Sequence, residues 1–360
     1  MEFFNSQIHA WYSLFRRDLP WRNTRNPYCI WVSEIILQQT RIDQGMAYYN
    51  RFIEEFPGIS DLAGASEDQI LKLWQGLGYY SRARNLHFSA KHIEKTFNGR
   101  FPEDYNSIRS LKGIGDYTAS AIASISFGLE HPAIDGNVFR VLSRYFGISE
   151  PTDTSQGKKI FKELATELIK GTDPGMHNQA LMEFGALQCI PKNPECTVCP
   201  LNERCFAFSQ NKIDDLPVKK KKTTQRNRYF NYLVINHEDQ IWLRKRIEDG
   251  IWKNLFEFPL IETEEKTEAE ALLNHIGFHE IINHGTANIE NISGWKIHIL
   301  SHQRIHFRFI RIHLSNLAED NSKYIKVKKE EIFNFAVPKL LETYLAENAE
   351  NVIFKVRKND

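Results

Sequence analysis

Four of the five cysteines fall within one short stretch: Cys189, Cys196, Cys199 and Cys205, spaced C-x6-C-x2-C-x5-C. Pro191, Pro194 and Pro200 stiffen the loops between them. In a reducing compartment, four thiolates this close suit one metal centre. A four-cysteine zinc site is one reading, although zinc ligands usually come as two C-x2–4-C pairs and only one such pair exists here. An iron–sulfur cluster takes the same four ligands. Cys29 stands apart and reads as a buried free thiol. Two carboxylates also stand out. Glu34 lies in the apolar string Trp31-Val32-Ser33-Glu34-Ile35-Ile36-Leu37, where a carboxylate must be paired or functional unless it points to the surface. Asp135, in Ala133-Ile134-Asp135-Gly136-Asn137-Val138, could simply cap a helix.

The first 216 residues must position these groups, and they read as helical. Asn26-Pro27 looks like an N-cap followed by proline at the first helical position. The stretch Tyr28–Ile42 follows, and further helices are expected over Gln69–Trp74, Tyr117–Ser126, Val138–Tyr145 and Lys158–Ile169. No convincing alternating strand precedes residue 228. Beyond it, Tyr229–Asn236 and Ile241–Arg246 are strand-like and close enough to pair as a hairpin. Phe307–Leu314 is a third strand, whose switch in apolar parity suggests a bulge or burial on both faces. Pro338 opens a short helix.

Length and composition bound the whole. The 360 residues suit two domains, and 42% apolar with 25% charged side chains is the balance of a soluble globular protein. A largely disordered, collagenous or disulfide-stapled chain is excluded. The net charge is only +1, yet residues 217–228 (PVKKKKTTQRNR) hold six basic side chains and no acidic one. That block reads as a linker, either a solvated hinge or a phosphate-contacting connector. Met1–Pro20 mixes charged and apolar residues and does not read as a secretory signal, and no run approaches a membrane span. A cytoplasmic or nuclear, monomeric protein without membrane contact is expected.

Several strings together carry a resemblance. The string Leu111-Lys112-Gly113-Ile114-Gly115-Asp116-Tyr117 places two glycines one residue apart before a helix. Backbone N–H groups there can receive a phosphate. It resembles a helix-hairpin-helix element, with Lys112 where proline is common. Asp135 follows Gly115 by twenty residues, the four-cysteine loop comes next, and this order resembles the endonuclease III superfamily of DNA glycosylases. The string around Glu34, together with Trp74-Gln75-Gly76-Leu77-Gly78-Tyr79-Tyr80, is similar to the adenine DNA glycosylase (MutY) family. The resemblance implies a 4Fe-4S cluster held by Cys189, Cys196, Cys199 and Cys205. It implies a double-stranded DNA partner containing adenine opposite 8-oxoguanine or guanine.

What the resemblance implies for the chemistry fits the residue types. Glu34 would protonate the leaving adenine at N7, and a desolvated glutamate has the raised pKa this needs. Asp135 would stay ionised and stabilise the oxocarbenium-like sugar, as paired carboxyls do in glycoside hydrolases. Tyr117 and Asn137 would position these groups. Tyr117 also stands where lyase members of the superfamily carry lysine, and a phenol cannot form a Schiff base, so the enzyme is expected to be monofunctional. Adenine must be flipped out of the duplex, and Gln39 and Tyr79 match the family's intercalating positions.

The second half resembles a Nudix (MutT-like) domain at Gly250-Ile251-Trp252-Lys253-Asn254-Leu255-Phe256-Glu257-Phe258-Pro259. A helix is expected over Ala269–Gly277, but the paired glutamates that hold Mg²⁺ in a Nudix hydrolase are missing from it. A binding module without hydrolase activity is expected, with Ser301 and His302 reading 8-oxoguanine and Leu300 replacing the family's phenylalanine. The fold expected is multidomain. An all-α helix-hairpin-helix glycosylase domain with the iron–sulfur loop (1–216) is joined by the basic linker (217–228) to an α/β Nudix-like domain (229–360). Rival readings are an oxidised-pyrimidine lyase, a non-catalytic mismatch binder and a Nudix pyrophosphatase with a DNA-binding appendage. Tyr117, the Glu34/Asp135 pair and the missing glutamates argue against them in turn.

Overall fold

The computed structural model describes residues 1–220, 225–282, 286–315 and 323–348. Residues 221–224 of the basic block and 349–360 of the tail lie outside the described residues. By internal contacts the chain divides into two units, 1–65 with 85–222, and 66–84 with 223–360. The segment Ser66–Arg84 therefore groups with the second unit, although it lies inside the helical part of the sequence. Among the described residues, no helix is long and apolar enough to cross a membrane.

The helices before residue 210 are α1 (Glu2–Phe15), α2 (Pro27–Leu37), α3 (Ile42–Glu55), α4 (Ile59–Gly64), α5 (Glu67–Leu73) and α6 (Ser81–Phe97). They continue with α7 (Tyr105–Ser110), α8 (Asp116–Phe127), α9 (Gly136–Phe146), α10 (Ser155–Ile169), α11 (Pro174–Leu187) and the single turn α12 (Phe206–Ser209). Asn26 caps α2 as expected, its side chain accepting from the Tyr28 N–H. That helix stops at Leu37, five residues short of the expected end, because Gln39 turns to a left-handed φ of +60°. No glycine or proline in Gln38–Thr40 signals the break. One core of the first unit packs Phe4, Ile8 and Trp11 of α1 against Val138 and Leu142 of α9, Phe161 of α10 and Leu181 and Phe184 of α11. This apolar contact fixes α9 and α11, which carry much of the site.

The second unit is built on a mixed sheet. Its strands are β1 (Arg226–His237), β2 (Gln240–Lys245), β3 (Phe256–Glu257), β4 (Leu260–Thr263), β5 (Ala287–Ile292), β6 (Lys296–Ile299), β7 (Gln303–Leu314) and β8 (Ile325–Lys328). β1 and β2 form the expected hairpin, with Asn236 opposite Ile241. β1 and β7 run parallel at the centre, from Arg226 opposite Gln303 to Asn236 opposite His313. The parity switch in β7 has a clear cause: Phe307, Arg308, Phe309 and Ile310 are all buried, so both faces are covered. The register shift lies on the neighbour, between Ile289 and Asn291 of β5. The helix expected over Ala269–Gly277 is instead two, α13 (Ala269–Leu273) and α14 (Ile276–Ile282). His275 makes the break by accepting the Gly277 N–H on Nδ1 at 3.0 Å. Pro338 caps α15 (Lys339–Glu347), which lays Leu340, Leu341, Tyr344 and Leu345 inward.

Candidate active site

α9 begins where Asp135 ends the extended segment before it. The carboxylate caps the helix, Oδ1 accepting from the N–H groups of Asn137 at 2.9 Å and Val138 at 2.8 Å. The Asn137 amide adds a third bond, from Nδ2 to Oδ2 at 2.8 Å. Asp135 is thus a helix cap and, at the same time, a wall of a cavity of about 520 Å³. Glu34 of α2, Tyr117 of α8, Asn137 and Gln39 line that cavity too. The five residues come from three segments of the first unit: the end of α2 and the turn after it, the start of α8, and the start of α9.

Burial separates the site from ordinary carboxylate chemistry. Desolvation, reinforced by the charge of Asp135 and opposed by a hydrogen bond from Tyr117, raises the Glu34 carboxyl to about 7. Asp135 is also pushed up by burial, while its bonds from Val138 and Asn137 and the nearby Arg140 charge pull it back. The Tyr117 hydroxyl sits 3.1 Å from Met182 Sδ, and burial plus the two carboxylates drives its pKa far up. It remains a neutral donor.

Asn137 is itself held. Arg140, one turn on in α9, donates from Nη2 to Asn137 Oδ1 at 2.8 Å and to the Gly185 carbonyl at 2.6 Å, and from Nε to the Cys189 carbonyl at 2.7 Å. A Cβ at Gly185 would lie 2.7 Å from Asn137 Cβ and 2.9 Å from its carbonyl oxygen. Only glycine allows α11 to approach α9 so closely.

The same cavity contains a group that sequence reasoning missed. Glu183 of α11 is 1% exposed, and the Arg17 and Arg22 guanidiniums clamp it with contacts of 2.6–2.9 Å. Burial alone would raise this carboxyl, but the hydrogen bonds from both arginines hold it down at about 2. The signal was available in Ala180-Leu181-Met182-Glu183-Phe184, a carboxylate in an apolar helical string like the one around Glu34. What hid it was distance, since Arg22 lies 161 positions away.

The hairpin forms as expected. Gly113 has φ +87°, Gly115 caps α8, and Ile114 N–H closes the turn on the Leu111 carbonyl at 3.1 Å. A side chain at Gly113 would also strike Asn85. Tyr79, Ser301 and His302 are all exposed and belong to the second unit, the latter two at the turn between β6 and β7.

Cys189, Cys196, Cys199 and Cys205 are half-buried and electrostatically coupled, and burial pushes the Cys199 thiol up to about 12. Among the described residues, no three His, Cys, Asp or Glu side chains converge as a single metal ion would require. Four thiols are the donor set that an iron–sulfur cluster would take, and Cys189, Cys196, Cys199 and Cys205 would hold it. Arg144 of α9 holds the loop, donating from Nη1 toward Cys189 Sγ at 3.5 Å and the Ile190 carbonyl at 2.8 Å, and from Nη2 to the Pro191 carbonyl at 3.0 Å. Cys29 is a half-buried thiol beside Tyr49, its pKa raised by burial.

The chain resembles known proteins along nearly its whole length. Residues 32–167 match the HhH-GPD superfamily of base excision DNA repair proteins, and residues 231–347 match the NUDIX domain. An adenine DNA glycosylase of Buchnera aphidicola subsp. Acyrthosiphon pisum is 37% identical, covering 97% of this chain and 98% of the relative. Another from Buchnera aphidicola subsp. Schizaphis graminum is 40% identical over 73% of this chain and 76% of its own length. The structure of a thermostable thymine-DNA glycosylase superposes with a TM-score of 0.55 at 31% identity, covering 58% of this chain and 96% of that one. With a helical repair domain, a Nudix-like sheet domain and relatives matched along nearly the whole chain, this protein belongs to the adenine DNA glycosylase family, enzymes of base excision repair.

Proposed function

We propose that the enzyme hydrolyses the N-glycosidic bond of adenine paired with 8-oxoguanine or guanine in double-stranded DNA, after flipping the adenine into the cavity of the first unit. The observation that carries this reading is the pairing of Glu34 and Asp135 in one cavity. One carboxyl is poised near neutral pH, and the other is fixed by three hydrogen bonds. Glu34 donates its proton to adenine N7, which makes the base a neutral leaving group. Asp135 faces the oxocarbenium-like sugar and stabilises its charge, by contact or as a transient covalent adduct. Water then adds at C1′. Tyr117 stays protonated and orients Glu34, and Asn137 orients Asp135. Among the described residues no side-chain amine lines the cavity, and Tyr117 cannot form a Schiff base, so base release is monofunctional. Arg17 and Arg22 face the cavity but are committed to Glu183.

In this reading Gln39 and Tyr79 fill the gap left by the flipped base. Gly113 and Gly115 present backbone N–H groups to a phosphate, and Ser301 and His302 contact the base opposite adenine. The Nudix-like unit binds and does not hydrolyse. Cys189, Cys196, Cys199 and Cys205 would hold the 4Fe-4S cluster, a cross-link for the loop that also supplies one-electron chemistry, which base hydrolysis does not use. The protein acts as a cytoplasmic monomer.

The test is one set of duplexes: adenine opposite 8-oxoguanine, opposite guanine, opposite thymine, and an oxidised thymine, with the released base identified. Free adenine from the first two only is expected. Release of oxidised thymine with strand cleavage would replace this reading by that of a pyrimidine lyase.

A further inference from the structure

The helix that follows the hairpin opens with an acid. The first bond inside α8 is the Ala119 N–H on the Gly115 carbonyl at 2.9 Å, so the N–H groups of residues 116–118 have no partner within the helix. Such a terminus favours an anion. Asp116 is the first residue of α8, and its side chain is 77% exposed. The chain thus supplies an anion of its own beside the place that a DNA phosphate would take.

Arg109, near the end of α7, restrains that carboxylate. Its Nε donates to Asp116 Oδ1 at 2.6 Å, and its Nη1 donates to the Ile114 carbonyl at 2.9 Å. Tyr105, one turn earlier in α7, also bonds the carboxylate. The bond from Arg109 holds the Asp116 carboxyl below the usual carboxylate range, so it stays charged. The guanidinium therefore lies against the turn itself, joined to the carboxylate and to the carbonyl between the two glycines. Of its five N–H groups these bonds engage two, and the half-exposed side chain can offer the other three outward. Lys112, inside the turn, lies instead over the ring of Phe88, its Nζ 4.5 Å from the centroid.

We propose that Arg109 is a phosphate-binding residue of the hairpin, drawing the Asp116 carboxylate aside from the helix terminus and offering its remaining N–H groups to the same backbone phosphate of the DNA. This rests on the reading of the Gly113–Gly115 turn as a phosphate site. Asp116 is then an internal competitor for that site, and the Arg109 bond sets how strongly it competes. The two residues act on affinity with opposite signs. A pair that only shaped the turn would weaken binding when either member was lost.

The experiment measures binding of the whole protein to a duplex with 8-oxoguanine opposite 2′-fluoro-2′-deoxyadenosine, whose glycosidic bond resists cleavage, and to an undamaged duplex, from about 50 to 200 mM salt. Arg109→Ala should weaken both complexes about tenfold, the lower end for a charge-assisted hydrogen bond, and reduce the salt slope by about 1. Asp116→Asn should tighten both about threefold by removing the competing charge. In the Arg109→Ala background the same change should recover more than about threefold, because the freed carboxylate then faces the phosphate. Asp116 is exposed, so its variant reads the sign even where Arg109→Ala fails to fold. Wild-type binding by a folded Arg109→Ala overturns the proposal, as does weaker binding by Asp116→Asn. Gly115→Ala tests the underlying reading. A Cβ there would meet nothing in the protein, yet it bars the close backbone approach of a phosphate. Weaker binding by Gly115→Ala beside wild-type binding by Arg109→Ala defeats the proposal and leaves the hairpin reading standing. Wild-type binding by Gly115→Ala defeats both.

Discussion

Asn137 donates to Asp135 Oδ2 at 2.8 Å and accepts from Arg140 Nη2 at the same distance. A single amide therefore holds the carboxylate with its nitrogen end and is held by its oxygen end. Asn137→Ala removes both bonds and leaves Asp135 on the two backbone N–H groups alone. The single-turnover rate of adenine release should fall about 100-fold, the usual cost of a misplaced reacting group. Binding to the non-cleavable duplex should stay close to wild type. A rate within threefold of wild type would mean that the helix terminus alone orients Asp135.

The raised pKa of Glu34 makes a prediction about pH. The acid form is needed, and it persists up to about 7. Adenine release should be level below that pH and fall about tenfold per unit above it. The same shift acts on stability with a definite sign. The folded state binds this proton more tightly than the unfolded one, so the contribution is full below the ordinary glutamate range and is lost as pH rises through about 7. Glu34→Gln should abolish release while leaving DNA binding nearly intact. A Gln variant with wild-type turnover would falsify the assignment.

Glu183 is the hub of the Arg17–Arg22 clamp. Glu183→Gln preserves shape and removes the charge, leaving two guanidiniums without their counter-ion. Breaking a buried pair from one side typically costs 3–5 kcal/mol, so a loss of about 3 kcal/mol in urea unfolding is expected. A shift below about 1 kcal/mol would show that water reaches the arginines and replaces the carboxylate.

His177 supplies an acid-sensitive contact away from the cavity. Its Nδ1 meets Nε2 of His9 at 3.0 Å, and burial plus the His9 charge lowers its pKa to about 4. Burial lowers His9 too, with Asp173 opposing. The unfolded chain takes up protons near 6.5 and the folded one does not, so this contribution is complete above 6.5 and is lost as pH falls toward 4. Between pH 6.5 and 5 the loss should reach about 2 kcal/mol. Urea midpoints at the two values, for wild type and His177→Asn, measure it, and an equal acid loss in both would assign the effect elsewhere.

Features carried by neighbouring residues were legible in the sequence. The Asn26 cap, the Gly113–Gly115 turn and the β1–β2 hairpin each depend on a few adjacent side chains. Of the cavity residues, Glu34 was legible from its apolar string, while Asp135, Tyr117, Asn137 and Gln39 were picked out through the family resemblance. Legibility failed where the cause lies across the chain. Glu183 carries the same local signal as Glu34, a carboxylate in an apolar string, but its pairing with Arg17 and Arg22 spans more than 160 positions. The end of α2 at Leu37 has no breaker residue, and the grouping of Ser66–Arg84 with the sheet unit depends on partners such as Lys245 and Lys253. Ile325–Lys328 was missed as a strand because only its pairing with Gln240–Leu243 makes it one.

Arg144 carries a consequence for where this chain can be cut. Besides the cysteine loop, its Nε shares a hydrogen between the carbonyls of Ile213 and Leu216, each at 3.1 Å. An excised first unit that stops at Ser209 would strand that N–H in the interior and release the far end of the loop. One that runs through Val218 would keep all of the guanidinium's acceptors, and would also keep the Thr152 N–H bond to the Val218 carbonyl. The proper boundary of the first unit is thus drawn by one arginine, several residues past the last cysteine.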